Sequence, residues 1–143
     1  KYSPDIDGLD KNIEKIDFLN PDAEAIIALE PDIIIASGHN KSGGSEDPFK
    51  LIQEAGISVV YMPVSNSIQG IYDDIMFMAE ITNTKDKGQE IVDNMKKQVE
   101  EIKTIGDTIG DKKKVYFEIA PAPSLYSFGN STFLNEMIEL IGA

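Results

Sequence analysis

Residues 20–37 read NPDAEAIIALEPDIIIAS, a short helical pattern followed directly by a strand pattern. Asn20 and Pro21 suit the N-cap and the first position of a helix, because the N–H that proline lacks would be unpaired there in any case. Pro31 ends this helix, since the residue before a proline avoids the α region. The run IIIA at residues 33–36 is continuous rather than alternating, which is typical of a strand buried on both faces of a parallel sheet.

The same order of helix and strand repeats downstream. A polar, glycine-rich loop at residues 37–45 leads to Asp47 and Pro48, which predict the cap and the first residue of a second helix. Gly56 predicts a left-handed end to that helix. Residues 57–62 (ISVVYM) then predict a second buried strand.

Two helices follow the second strand. The first is capped by Asn66 or Ser67 and is broken at residues 83–84. The second runs from Lys85 to about residue 109, because apolar side chains recur there every three or four residues. These side chains form one apolar stripe along the helix, and we expect part of it to lie uncovered in this chain: Ile91, Met95, Val99, Ile102, Ile105 and Ile109.

A further strand and helix complete the pattern. Residues 115–119 (VYFEI) predict a third strand, and Asn130 or Ser131 caps a last helix that ends at Gly142. Near the other end of the chain, residues 14–18 predict one short strand. Strands that alternate with helices indicate an α/β fold with a parallel sheet and flanking helices.

Composition excludes several classes of function. The chain has 25 acidic and 13 basic residues and a net charge of −12, a poor surface for nucleic acid, whose binding depends on neutralised phosphates. Every basic residue is lysine, so arginine clamps on carboxylate or phosphate are absent from this sequence. The lack of cysteine excludes disulfides and thiolate metal sites, and a single histidine excludes a multi-histidine zinc site. Residues 1–8 do not resemble a signal peptide, so any targeting segment is expected outside this sequence.

The candidate ligand site lies in the loops. In open parallel sheets, ligands bind beyond the carboxyl ends of the strands, which lead here into residues 37–45, 63–67 and 120–129. For each polar residue in these loops the alternative is a solvated turn, because loops are polar by default. The candidate ligand-binding residues are His39, Asn40, Lys41, Ser65, Asn66, Tyr126 and Asn130.

No catalytic motif is present in the sequence. It lacks the Gly-x-Ser-x-Gly elbow, the phosphate loop and the dinucleotide fingerprint. His39 has no serine or aspartate nearby in sequence that would suggest a triad, and the adjacent Asp73 and Asp74 would point about 100° apart on a helix. We therefore predict a protein that is not an enzyme, with no catalytic residue, no cofactor and no metal-ligating residue.

Taken in order, these segments resemble the class III solute-binding proteins of ABC importers. Residues 20–37 match the helix and buried strand at the core of that family, including Glu24, Ala28-Leu29 and Pro31-Asp32. The further matches are EAGISVVYMPV (54–64), SIQGIYDDIMFMAEITN (67–83), the long helix, and VYFEIAPAPSLYSFGNSTFLNEMIELIGA (115–143).

This resemblance implies an architecture of two lobes joined by one long rigid helix, with the ligand held in the cleft between them. It places an incomplete N-terminal lobe at residues 1–84, the inter-lobe helix at residues 85–110 and the start of a truncated C-terminal lobe at residues 111–143. It also implies an extracytoplasmic protein, either periplasmic or anchored as a lipoprotein.

Members of the family bind iron–siderophore complexes, haem or cobalamin and deliver them to a membrane permease. An exposed glutamate on each lobe docks into arginine pockets of the permease, and Glu24 matches the first of these by position. From the residues alone, the simpler interpretation of Glu24 is a solvating carboxylate at the positive end of a helix.

The first expectation is therefore the capture of a chelated metal, with a ferric siderophore ahead of the other ligands. Haem or cobalamin is the alternative within the family, with His39 as the axial ligand. Ferric siderophores are anionic and are commonly met by arginine, so Lys41, His39 or Tyr126 would substitute for it here, or the arginine lies in the other lobe. A cytoplasmic α/β chelatase or a response-regulator-like domain is an alternative from another class. Uncovered apolar residues on the long helix also predict self-association.

Overall fold

The computed structural model describes residue 8 and residues 12–17, 21–38, 47 and 49–143. The chain forms two compact units, Lys1–Val64 and Ser65–Ala143. The first unit is a small α/β layer and the second is built from helices, so the predicted α/β class is confirmed.

The described residues of the first unit form two helices and a parallel pair of strands. Helix α1 (Ala23–Ala28) precedes strand β1 (Ile33–Ser37), and helix α2 (Lys50–Glu54) precedes strand β2 (Ser58–Met62). The strands pair in parallel with Ile33 opposite Ser58 and Ser37 opposite Met62. Both helices cover one face of this pair, where the buried core consists of Ile26, Ala36, Phe49 and Ile52.

The other face of β1 is open. Ile33 and Ile35 are 37% and 38% exposed, whereas Ala36 is buried. The prediction of a strand buried on both faces is therefore wrong for the described part of the chain. The physical reason is that the described residues supply helices to one face and a partner strand to one edge.

The helix caps of the first unit differ from the predicted ones. Helix α1 begins at Ala23 with Asp22 as its N-cap, and the Asp22 carboxylate accepts the N–H groups of Glu24 and Ala25 at 3.0 and 3.1 Å. Asn20 lies outside the described residues. The Asp22 carboxylate is the N-cap because it accepts two N–H groups that the first turn leaves unpaired.

Helix α2 also begins later than predicted. Its first residue is Lys50 and its N-cap is Phe49, while Pro48 lies outside the described residues. The Asp47 carboxylate, three residues before the helix begins, accepts the Phe49 N–H at 2.9 Å. The left-handed end at Gly56 is confirmed by a φ of +88°.

The second unit is organised by a long helix. Helix α3 (Ile68–Ile81) is capped by Ser67, as predicted, and helix α4 (Lys85–Gly106) packs against both α3 and helix α5 (Phe133–Leu140). The long helix is thus confirmed, and so is the expectation that apolar residues of its stripe lie uncovered in this chain. Val92 is 2% exposed, whereas Ile102 and Ile105 are 45% and 67% exposed.

Small residues explain which face of α4 is buried. A Cβ added at Gly88 would overlap the Cβ of Ala79 on α3, so the two helix backbones approach closely there. Val92 lies one turn further along the same face and is buried with it. The apolar periodicity missed this face because glycine contributes no hydrophobic signal.

Two predicted strands are not formed. Residues 115–119 belong to no strand, and Tyr116 is 68% exposed. Residues 14–17 are likewise irregular, and Phe18 lies outside the described residues. A strand needs a neighbour to pair with its backbone, and the described chain places none beside either segment except a single bridge between Ala120 and Tyr126.

The last helix is capped by Thr132 rather than by Asn130 or Ser131. The Thr132 hydroxyl accepts the Asn135 N–H at 3.3 Å, and Ser131 has a left-handed φ of +66° that turns the chain into the helix. The predicted end at Gly142 is confirmed by a φ of +84°.

Candidate functional site

The exits of the two strands lie side by side. Ser37 and Met62 are in register at the carboxyl end of the sheet. A Cβ added at Gly38 would lie 3.0 Å from the Met62 carbonyl oxygen and 3.2 Å from Val64 Cγ2. Two of the three predicted ligand loops therefore begin at one edge of the sheet, and glycine is needed there for their close approach.

His39, Asn40 and Lys41 lie outside the described residues. The chain is described again at Asp47, whose carboxylate accepts the Phe49 N–H and the Tyr61 hydroxyl. Burial, the hydrogen bond to Asp47 and the charge of that carboxylate together raise the pKa of Tyr61 well above its usual range. This pair fastens the far end of the first loop to strand β2.

The Asp47–Tyr61 pair was missed by sequence reasoning. The sequence predicts a helix cap at Asp47 and a buried strand through Tyr61, and neither prediction implies a contact between them. The one available signal was a polar hydroxyl inside an otherwise apolar strand, because a buried phenol needs a hydrogen-bond partner.

Ser65 and Asn66 occupy different environments on the second loop. Ser65 is half-buried and its hydroxyl donates to the Asp74 carboxylate on α3. A Cβ added at Gly70 would lie 3.0 Å from Ser65 Oγ, so the serine packs closely on the first turn of that helix. Asn66 is exposed. Ser65 thus anchors the loop, and Asn66 is the side chain of the two that is free to meet solvent.

Tyr126 lies in a tight turn that the chain makes after residue 119. Ile119 N–H donates to the Tyr126 carbonyl at 2.9 Å, and Tyr126 N–H donates to the Ala120 carbonyl at 3.2 Å. The Ser127 hydroxyl donates to the Phe117 carbonyl oxygen at 2.7 Å. The turn presents Leu125 and Tyr126 to solvent, at 64% and 63% exposure. Tyr126 therefore exposes its ring to solvent from a backbone that hydrogen bonds within the turn hold in place.

Asn130 is also exposed, just before the cap of α5. The four described candidates, Ser65, Asn66, Tyr126 and Asn130, all belong to the second unit. In the described part of the chain, no hydrogen bond joins the first pair of these residues to the second pair. A hydrogen bond does join the helices that follow the two loops, since Ile68 N–H donates to Glu136 Oε2 at 2.8 Å.

Glu24 occupies the first turn of α1 and is exposed. Its N–H is held by the Asp22 carboxylate at 3.0 Å, which fixes the backbone from which the side chain leaves. Within the described residues, no hydrogen bond or ion pair engages the Glu24 carboxylate. Glu24 thus has an exposed side chain that leaves a backbone held in place by the Asp22 cap.

The first unit also contains a cavity of about 560 Å³ beside the open face of β1. None of its described lining residues carries a positive charge, so it does not suit an anionic chelate. Its described lining residues are Ile16, Asp17, Pro21, Ile26, Leu29, Pro31, Ile33, Ile34, Ile35, Ala36, Ser37 and Phe49.

The described residues were expected to hold no metal site, and two further features of them bear on metal and membrane binding. The described residues contain no cluster of three or more histidine or carboxylate side chains placed to hold a metal ion. Among the same residues, no helix combines the length and the apolar character needed to cross a membrane.

Comparison with known proteins identifies the family. Residues 8–143 match the periplasmic binding protein family, and the chain belongs to it. The ordered resemblance to class III binding proteins of ABC importers is thereby confirmed, and the chain is a partial representative of that fold.

Two curated relatives come from Bacillus subtilis (strain 168). One is an uncharacterized ABC transporter substrate-binding lipoprotein, YvrC, which is 32% identical over 135 residues, or 93% of this chain and 43% of the relative. The other is an iron-uptake system-binding protein, 25% identical over 121 residues, or 84% of this chain and 36% of the relative. The chain thus spans about two fifths of the length of the curated relatives it matches.

Solved structures agree on the fold. A possible iron-binding (periplasmic solute-binding) protein from Staphylococcus epidermidis ATCC 12228 matches with a TM-score of 0.79 and 28% identity, covering 93% of this chain and 51% of that one. The periplasmic heme-binding protein BhuT matches with a TM-score of 0.69 at 18% identity over 86% of this chain and 47% of that one, and this likeness concerns the fold alone.

Proposed function

We propose that this chain is part of the extracytoplasmic substrate-binding component of an ABC importer, which captures a metal chelate and delivers it to a membrane permease. The observation that carries the proposal is membership of the periplasmic binding protein family over residues 8–143. A relative described as an ABC transporter substrate-binding lipoprotein, similar over 93% of this chain, supports the transport role and an extracytoplasmic, lipid-anchored location.

The geometry of the strand exits supports binding rather than catalysis. Two loops leave one edge of a parallel sheet side by side, which is where ligands bind in such folds. The described loop residues offer hydroxyl, amide and phenol groups, with Asn66, Tyr126 and Asn130 exposed. These groups hold a ligand by hydrogen bonds and stacking, and none of them is arranged with a base that would activate it as a nucleophile.

A ferric siderophore is the ligand that we propose first. The names of two relatives, the iron-uptake system-binding protein and the possible iron-binding protein, point to iron. Without arginine, this part of the protein would meet an anionic chelate through Lys41, His39 and the phenol of Tyr126. Haem and cobalamin are the competing ligands, and His39 would then serve as an axial ligand.

The permease contact is proposed at Glu24. The side chain is exposed on the first turn of α1 and its carboxylate has no partner among the described residues. A carboxylate that is exposed and has no partner among the described residues is available to an arginine pocket on another protein. Bidentate arginine–carboxylate pairs are both strong and directional.

The experiment is a calorimetric titration of the full-length protein with a ferric hydroxamate siderophore, a ferric catecholate siderophore, haemin and cobalamin. Binding of a ferric siderophore, and not of its metal-free form, supports the proposal. Tyr126→Ala is expected to weaken binding, and Tyr116→Ala is the matched control because Tyr116 is equally exposed at 68% but lies outside the turn. Tighter binding of haemin or cobalamin would make that compound the proposed ligand in place of the siderophore. Failure to bind any of the four would refute the proposal.

A further inference from the structure

One hydrogen bond connects two candidate ligand segments that are far apart in sequence. Ile68 is the first residue of α3, directly after the loop that carries Ser65 and Asn66. Glu136 lies in the first turn of α5, shortly after the segment that carries Tyr126 and Asn130. The Ile68 N–H donates to Glu136 Oε2 at 2.8 Å.

The position of this carboxylate is favourable for electrostatic reasons. The first N–H groups of a helix have no partner within the helix, and its N-terminus carries a partial positive charge. At the start of α3, the Ser67 hydroxyl accepts the Gly70 N–H at 3.0 Å. Glu136 takes the Ile68 N–H from outside the helix, so the capping of α3 is shared between its own sequence and α5.

The surroundings of Glu136 limit its freedom. Tyr72, one turn into α3, is 6% exposed. Burial raises the pKa of its phenol, and the negative charge of Glu136 raises it further. Lys96 on α4 lies with its Nζ 5.5 Å from the centre of the Tyr72 ring. Glu136 thus lies near enough to the buried Tyr72 to act on it electrostatically, and Lys96 of α4 lies over the same ring.

We propose that Glu136 is a positioning residue that ties the helix after one ligand loop to the helix after the other and so holds the two loops at a fixed distance. The link to ligand binding rests on the function proposed above. A ligand that uses both loops binds more tightly when they are already placed, because less ordering is needed on binding. Glu136 contacts no ligand in this proposal and acts through the Ile68 N–H.

The first test measures the tie without any ligand. Backbone hydrogen exchange at Ile68 is followed by NMR in the parent protein and in the Glu136→Ala, Glu136→Gln and Glu139→Gln variants. Glu139 is the matched control because it lies on the same helix and accepts from Asn135 rather than from α3. We expect exchange at Ile68 to rise about tenfold or more in Glu136→Ala, since hydrogen bonds to charged groups are worth at least that factor.

The glutamine variant separates the hydrogen bond from the charge. Its side-chain oxygen can still accept the Ile68 N–H, so exchange should rise less than in Glu136→Ala. The loss of charge should at the same time lower the pKa of Tyr72, measured from its phenolate absorbance, while Glu139→Gln leaves it unchanged. Equal exchange at Ile68 in the parent and in Glu136→Ala would overturn the proposal.

The second test uses the full-length protein and a ferric hydroxamate siderophore. Glu136→Ala should raise Kd several-fold, Glu136→Gln should recover part of the loss, and Glu139→Gln should bind as the parent does. Unchanged affinity in Glu136→Ala, together with faster exchange at Ile68, would show that the tie does not position the ligand loops and would refute the proposal. If the parent itself binds no chelate, the proposed function fails, and the exchange at Ile68 still decides whether Glu136 ties the two helices.

Discussion

Asp47 connects the start of helix α2 to strand β2, a contact that its neighbours in sequence do not predict. Its carboxylate accepts from the Phe49 N–H within its own turn and from the Tyr61 hydroxyl on the neighbouring strand. The ring of Tyr61 also meets Phe49 edge-on, with centroids 6.1 Å apart. Polar and aromatic contacts therefore converge where the chain enters helix α2 beside strand β2.

Removal of the Tyr61 hydroxyl should destabilise the protein. Tyr61→Phe keeps the ring contact but loses a hydrogen bond to a charged group, which is worth about 1.5–3 kcal/mol. We expect the free energy of unfolding to fall by about that amount at neutral pH, as measured by urea denaturation. Tyr116→Phe is the control and should change stability by less than about 0.5 kcal/mol, because Tyr116 is 68% exposed.

The same variant should change the alkaline limit of stability. The folded protein holds the pKa of Tyr61 above the value of about 10 that the unfolded chain has. The contribution of this protonated phenol is therefore full below pH 10 and is lost as the pH rises toward the folded pKa. Stability of the parent should fall more steeply above pH 10 than that of Tyr61→Phe. Identical slopes would show that the phenol is not held in its protonated form.

Glu24 should matter for uptake and not for ligand binding. Glu24→Ala removes an exposed carboxylate, so folding and chelate affinity should be unchanged. If the carboxylate meets an arginine on the permease, its loss should weaken docking by about 2–5 kcal/mol. Docking to the permease in nanodiscs and iron uptake in cells are the measurements.

Glu30→Ala is the control for this prediction, because Glu30 is an exposed carboxylate near the other end of the same helix. It should dock and transport as the parent does. Normal uptake in Glu24→Ala, also when combined with a change of the corresponding glutamate on the other lobe, would show that Glu24 has no docking role.

Helices α3 and α4 illustrate how small residues determine packing. Gly88 allows the backbone of α4 to approach Ala79, and this contact turns Val92 inward while Ile102 and Ile105 remain exposed. A hydrophobic pattern cannot predict such a face, since the residue that selects it has no side chain.

Gly88→Ala should therefore be destabilising despite the better helix propensity of alanine. The added methyl would overlap Ala79, and such overpacking costs about 1–3 kcal/mol against a propensity gain of about 1 kcal/mol. A lower midpoint of thermal unfolding is expected. Gly110→Ala is the control, because its added Cβ would meet nothing within 4 Å. A Gly88→Ala protein more stable than the parent would contradict the close approach of the two helices.

Local signals predicted the elements that depend on local physics. The parallel strand pair, the Ser67 cap, the long helix and the left-handed glycines at 56 and 142 follow from propensity, capping and backbone freedom. The strand predicted at residues 115–119 is not formed, because a strand exists only where a partner pairs with its backbone. The Asp22 and Thr132 caps replaced the expected ones because several acceptors stand near each helix start, and the geometry of the turn chooses among them.

The candidate site was predictable only as a set of loops. The position of two of these loops at the ends of strands follows from the fold class, whereas the third loop follows no strand. The hydrogen bond from Ser65 to Asp74 depends on contacts that no local pattern encodes. The same holds for Glu136, whose partner Ile68 is 68 residues away in sequence.

The two compact units leave considerable apolar surface uncovered. On the second unit, Ile105 is 67% exposed on α4, and Met137 and Ile141 are 50% and 53% exposed at α5. Since exposed apolar patches favour association, we expect the 143-residue chain to self-associate at micromolar concentration, as measured by sedimentation velocity.

Charge placed on this surface should reduce the association. Ile105→Glu should shift the chain toward monomer, whereas Thr104→Glu adds the same charge to a neighbouring exposed residue without removing apolar area. A monomeric parent across a wide concentration range, or equal effects of the two variants, would show that this surface does not drive association.

Ligand binding should depend on more than these residues. The chain spans about half of the S. epidermidis structure that it matches, and ligand pockets bury most of a small ligand's surface. We expect the 143-residue chain to bind a ferric siderophore at least tenfold more weakly than the full-length protein. Equal affinity in a side-by-side titration would place the whole site within this chain.

The backbone contact between the ends of α4 and α5 has an evolutionary consequence. A Cβ at Gly106 would overlap the carbonyl oxygen of Leu140, and a Cβ at Gly142 would lie 2.5 Å from the carbonyl oxygen of Gly106. Neither glycine can gain a side chain while the two helix ends stay where they are, because each added Cβ would meet a backbone oxygen that cannot rotate away. In a related sequence, we therefore expect a larger residue at either position only together with a wider separation of these helix ends.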